Sequence, residues 1–273
     1  MNITLEGPVM NKVYETITVE RCGATHRLTL NRPENLNCLT PLMVQELLDY
    51  WGDLYDDLDT HLVILSGAGD HFTGGLDIKE PLPVLDTGPA GAMNFMRDYG
   101  ELVLRMRRCP QPIVALIKGA AAGGGLAFAL ASDIRIAGES LRMNAAFVRL
   151  GLSGTEMGIS YLLPRLVGGA IASELCFTGR FVNADEALKL GLVSRVVPDE
   201  CLSDAGDEII SQILANDPFA IRMTKEALNA TYSIGSLEAA IALENRNQSL
   251  AFVSRAPREG VTAFKEKRTP KFG

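Results

Sequence analysis

Apolar and polar positions alternate along this chain in two different rhythms. Near the start, VYETITVE and THRLTLN are rich in β-branched residues and flank a turn-like RCGA, which predicts a hairpin of strands. TPLMVQELLDYWGDLYDD then moves to apolar residues at helical spacing, with Thr40 as a helix cap and Pro41 at the first helical position. LVILSG is a short unbroken apolar run, read as a buried strand that feeds the loop AGDHFTGGLD. A helix is expected around AMNFMRDYGELVLRMRRC, ending before Pro110. PIVALIKG is the next buried strand, and it runs into the glycine stretch GAAAGGG (Gly119 to Gly125) and a helix-like LAFALASDIRIA. ASDIRIAG and LVSRVV are further strand candidates. From about residue 60 strand, loop and helix alternate, which predicts an α/β architecture with parallel pairing.

Past residue 199 the strand patterns stop. LSDAGDEIISQILAND, DPFAIRMTKEALNATY, SLEAAIALENRNQSLAFV and PREGVTAFKEKR all read as helices, the second opened by Asp217-Pro218. The expected division is a core over 10–198 and a helical region over 199–273, whose apolar faces dock on the core or on another subunit. No fixed-period repeat interrupts this order.

Composition narrows the function classes. Of 273 residues 47% are hydrophobic and only 22% charged, the balance of a globular protein with a sizeable core. A formal net charge of −7 argues against nucleic-acid binding, which calls for a basic surface. No apolar run approaches the length of about 18 that spans a bilayer, and MNITLEGPVMNK does not read as a secretory leader. Five cysteines without a CxxC pair argue against a zinc site or a disulfide framework, and fit a reduced, cytoplasmic setting. His26, His61 and His71 lack metal-ligand spacing, so no metal site is expected.

The glycine stretch needs a reason, because glycine weakens a helix by about 1 kcal/mol relative to alanine. One reading is tight helix–strand packing that only glycine allows. The other is a helix N-terminus whose bare N–H groups face an anion, or a carbonyl oxygen that gains charge during reaction. Neither GxxxxGK[ST] nor GxGxxG is present, so the generic phosphate and dinucleotide loops are excluded. HFTGGLD (His71 to Asp77) is a second glycine turn after a buried strand. Two strand-end loops could thus each offer one N–H, the two donors that an oxyanion hole needs.

In order and spacing, LTLNRPENLNCLTPLM, HFTGGLDIKE, IVALIKGAAAGGGLAFALASDIRIA, TGRFVNADEALKLGLVSRVV and AFKEKR resemble the crotonase (enoyl-CoA hydratase/isomerase) family, from about Val13 to Lys267. The resemblance implies a spiral of ββα units with a C-terminal helical oligomerisation region, assembled as a homotrimer or a dimer of trimers. It implies an acyl-CoA thioester substrate, with coenzyme A part of that substrate and no separate cofactor. Two peptide N–H groups would hold the thioester oxygen as an enolate forms, and at the matching positions these belong to Leu76 and Gly124. Asn35, Leu36, Asn37, Gly74 and Ile78 would lie along the CoA, and Phe264 and Lys267 would reach a neighbouring subunit's CoA. For Lys267 a solvated charge in a basic tail is the competing reading.

A hydratase of this family positions water with two glutamates. The matching positions here are Ala127 and Phe147, neither of which moves a proton. Glu156, by its spacing before YLLP, resembles the single glutamate base of some isomerases in the family. Against this, Ser153-Gly-Thr-Glu156 also fits a capping box, S-x-x-E, in which the glutamate only satisfies a helix end. The expectation is an enzyme of enoyl-CoA isomerase or hydratase type, with Leu76, Gly124 and Glu156 at the reacting centre. Other enolate chemistry (C–C cleavage, decarboxylation, thioester hydrolysis) and a non-catalytic acyl-CoA-binding protein stay open. Asp77 is expected to hold its loop, and Glu80, Glu101 and Arg149 are further candidates for the acyl pocket.

Overall fold

The computed structural model describes residues 12–79 and 82–272. Residues 10 and 11 of the expected core lie outside them, as does Glu80. The chain begins with the hairpin β1 (Ile17–Cys22) and β2 (Thr25–Leu30), paired antiparallel with Ile17 opposite Leu30. Then come α1 (Pro41–Tyr55), β3 (Leu62–Gly67), α2 (Gly88–Arg108), β4 (Ile113–Ile117), β5 (Ala120–Ala122), α3 (Gly124–Ala131), β6 (Ile134–Gly138) and β7 (Arg142–Asn144). α4 (Ile159–Val167), α5 (Gly169–Thr178), β8 (Val182–Asn183), α6 (Ala184–Lys189) and β9 (Arg195–Val197) follow. α7 (Leu202–Leu214), α8 (Pro218–Thr231), α9 (Leu237–Val253) and α10 (Ala256–Glu266) close the chain.

One sheet runs β1-β2-β3-β4-β6-β9, parallel from β2 onward. Its central strands read as unbroken apolar runs because both faces are covered. Val63, Leu65, Ile113, Ala115 and Ile117 face the larger core with α1, α2 and α3. Their neighbours Leu62, Ile64, Val114 and Leu116 face the opposite way, against Leu202, Ala205 and Ile210 of α7. The predicted starts of α1 and α8 form as read, since Thr40 accepts the Met43 N–H and Asp217 accepts the Ala220 N–H.

A second sheet, β5-β7-β8, was not foreseen. Its strands are two or three residues long, too short for any periodicity to register. Part of the glycine stretch is therefore strand: Ala120–Ala122 pairs with Arg142–Asn144 before α3 begins. The expected capping box also fails to form. α4 starts at Ile159 behind Gly158, and Ser153 Oγ instead meets the Thr155 N–H at 3.3 Å in a local turn.

α8 is tied to the core by a buried lysine. Lys225 Nζ lies 2.8 Å from Asp133 and donates to the Gln111 carbonyl at 2.7 Å. No helix among the described residues is long and apolar enough to cross a membrane.

Candidate active site

Two loops that follow sheet strands are laced together by backbone hydrogen bonds. The Phe72 N–H donates to Lys118 O and the Thr73 N–H to Ala120 O, each at 2.9 Å, and the Ala122 N–H returns to Thr73 O at 3.1 Å. The segment after β3 therefore runs alongside the segment after β4, and its glycines meet the helix start. Gly75 sits at φ +87°, and a Cβ there would lie 2.5 Å from Ala122 O and 3.2 Å from Gly124 N. A Cβ on Gly125 would fall 2.5 Å from Thr73 O. The packing reading of the glycine stretch holds, and this close packing brings the two loops side by side.

The packing leaves two donors unspent. Gly124 is the first residue of α3, so its N–H has no partner inside the helix. Around Leu76, the Gly75 N–H goes to Thr73 Oγ1 and the Asp77 N–H to Leu39 O. The Leu76 N–H itself finds no acceptor among the described residues. The dipole of α3 adds partial positive charge at the same place.

A cavity of about 370 Å³ opens at this point, and Leu76 and Gly124 both line it. So do Asn35, Leu36, Gly74, Ile78 and Glu156. Asn37 does not. Fully buried, it braces the loop instead: its side-chain amide donates to Ala68 O and His71 O, and its carbonyl oxygen accepts the Arg32 N–H. Within one chain its side chain is a loop brace rather than part of the cavity wall. Phe264 and Lys267, at the far end of α10, are not part of this cavity within one chain.

Asp77 does hold its loop, through Arg32, which donates to the Asp77 carboxylate at 2.8 Å and to Cys38 O at 2.7 Å. Arg32 was not singled out from sequence, because an arginine beside a proline looks like a solvated loop residue. Cys38 also lines the cavity, yet burial, with the Asp77 charge beside it, pushes its thiol upward and away from the nucleophilic thiolate. Among the described residues no group of histidine, cysteine and carboxylate side chains has the arrangement of a metal site.

At the two positions where a hydratase would place glutamates, Ala127 is sealed in the core and Phe147 forms an apolar wall. Glu156 is the other carboxylate in the cavity besides the Arg32-bound Asp77. It sits just before a chain reversal, with Met157 and Gly158 both in the left-handed region at φ 49° and 82°. Its backbone carbonyl accepts the Ile159 N–H, while its side chain is half-buried and caps nothing. Burial raises its carboxyl above the ordinary glutamate value. Tyr99, from α2, is a further cavity residue that the sequence did not flag. The available signal was a hydroxyl-bearing side chain on the apolar stripe shared with Phe95, Leu102, Val103 and Met106.

A family model described as enoyl-CoA hydratase/isomerase matches residues 20–273. The Mycobacterium tuberculosis protein named "Probable enoyl-CoA hydratase EchA12" is 38% identical over 251 residues, which cover 90% of this chain and 88% of that protein. The Escherichia coli 1,2-epoxyphenylacetyl-CoA isomerase is 36% identical over 247 residues, or 90% of this chain and 93% of its own. Among solved structures, the enoyl-CoA hydratase of Bacillus anthracis superposes with a TM-score of 0.89 at 32% identity, covering 94% of this chain and 99% of that one. With this fold and these matches across nearly its whole length, the chain belongs to the enoyl-CoA hydratase/isomerase family.

Proposed function

We propose that the chain isomerises an enoyl-CoA thioester through an enolate, with the Leu76 and Gly124 N–H groups as oxyanion donors and Glu156 as the single acid/base. The observation that carries this reading is the pair of unspent N–H groups, set side by side by the Gly75–Gly124 contact, in the cavity that also holds Glu156. The Glu156 carboxylate takes the proton from C2 of a 3-enoyl thioester. The C–H electron pair spreads onto the thioester oxygen, where the two N–H groups stabilise the charge. The protonated carboxyl then delivers its proton to C4, and the double bond moves from C3–C4 to C2–C3. Coenzyme A enters as part of the substrate and no other cofactor is required.

Relatives carry both hydratase and isomerase names, so the names do not choose between the reactions. Ala127 and Phe147 favour isomerisation, since hydration by the two-glutamate route needs carboxylates at both places. The same absence leaves a second reading, in which the enolate is used for C–C cleavage, decarboxylation or hydrolysis. A panel of 2-enoyl-, 3-enoyl- and 3-oxoacyl-CoA substrates followed by mass spectrometry separates the two. Glu156→Gln is expected to lower turnover of the preferred 3-enoyl-CoA by about 10²-fold or more while leaving its binding intact. Full turnover by that variant would remove Glu156 from the reaction.

A further inference from the structure

Tyr99 presents an unanswered polar group beside the same cavity. Its side chain is only 3% exposed, and its hydroxyl has no hydrogen-bond partner among the described residues. Buried tyrosines ordinarily find such a partner, because an unmet donor costs free energy. The ring is held in place by packing on α2, tilted against Phe95 with centroids 4.8 Å apart. An acceptor stands nearby. The Glu156 carboxylate lines the same cavity, receives no hydrogen bond from any described residue, and is close enough that its charge adds to burial in pushing the Tyr99 phenol upward.

The other titratable groups around the cavity do not fill this role. Asp77 is engaged by Arg32, Asp98 is exposed on the outer side of α2, and Cys38 is a weak donor in its thiol form. The cations Lys79 and Arg149 line the cavity without forming an ion pair to Glu156. One buried donor without an acceptor thus sits in the wall of a cavity that holds one acceptor without a donor.

We propose that Tyr99 is a positioning residue: when Glu156 turns about its side-chain bonds, the Tyr99 hydroxyl donates to its carboxylate and aims it at the substrate. The proposal rests on Glu156 being the acid/base. In a Tyr99→Phe variant the ring and its contact with Phe95 are kept and only the donor is lost. A hydrogen bond donated to a carboxylate favours its charged form, so its loss moves the acidic limb of the kcat/KM profile upward by about one pH unit. Turnover at neutral pH falls about tenfold, while the Kd for a saturated acyl-CoA stays within about twofold. Adding Tyr99→Phe to Glu156→Gln causes no further loss, because the two residues act as one unit.

A carboxyl NMR titration of Glu156 without substrate separates this proposal from the catalytic reading. If the Glu156 titration moves upward in Tyr99→Phe, the pairing stands even where Glu156→Gln retains activity and the acid/base role falls. If both the titration and the acidic limb stay where they are in the wild type, or the double variant loses activity additively, Tyr99 does not position Glu156.

Discussion

At the scale of single residues, Glu156 carries a charge in surroundings that disfavour it. Phe147 and Met157 wall the cavity around it, and burial raises its carboxyl above the usual glutamate range. A group whose folded pKa lies above its unfolded value supports folding only while protonated, and that support is lost as pH rises through the folded value. Glu156→Gln keeps the shape and removes the charge. The variant is therefore expected to match the wild type in Tm near pH 4 and to become the more stable of the two as pH rises towards 8. Thermal melts at a series of pH values measure this, and a difference that shrinks with rising pH would contradict it. The sequence marks Glu156 by its spacing, but the failure of the capping box depends on where α4 begins, and Gly158 rather than Ser153 sets that point. Asn37 shows a related limit of spacing. It lies in a motif whose neighbours Asn35 and Leu36 do line the cavity, while its own side chain turns inward.

At the scale of elements, the site depends on two loops held in register by three backbone hydrogen bonds and a glycine contact. Gly75→Ala tests that register. Its Cβ would lie 2.5 Å from Ala122 O, at a φ of +87° that alanine avoids, so the loops must part. Losing one aligned oxyanion donor typically costs about 10²–10³ in rate. We expect kcat to fall in that range with the far-UV circular dichroism unchanged, and near-wild-type kcat would show that the two N–H groups do not act together. The long elements behind these loops were legible in the sequence: β3 and β4 as unbroken apolar runs, α1 by Thr40 and Pro41, and α8 by Asp217 and Pro218. β5, β7 and β8 were not. A strand of two or three residues is fixed by its partners, such as Ala121 against Met143, and carries no pattern of its own. The glycine loops were recognisable as a pair, but the direct contact between Gly75 and Gly124 follows from the parallel pairing of β3 and β4, which lie about fifty residues apart in sequence.

At the scale of the molecule, the C-terminal helices divide into two kinds. α7 closes the far face of the sheet, and α8 is anchored by Lys225. α9 has Asn247 as its one buried residue and α10 has Ala263. Between them they leave Leu237, Phe252, Val253 and Phe264 each more than 70% exposed. A seventeen-residue helix that buries so little against its own chain gains little from packing, which is where most helical stability in proteins arises. We expect a second copy of the chain to cover the adjacent, exposed Phe252 and Val253. Light scattering is therefore expected to give a mass of three or six times 29.5 kDa. Phe252→Glu with Val253→Glu should shift that mass towards one chain, since charges at a buried interface go unpaired. If Lys267 reaches a neighbour's CoA, Lys267→Ala raises the KM for acyl-CoA in the assembled protein and leaves kcat alone. The dissociated double variant should already show the raised KM and gain nothing further from Lys267→Ala. A monomeric mass for the wild type, or an additive effect of Lys267→Ala in the dissociated protein, would place that lysine's role within its own subunit.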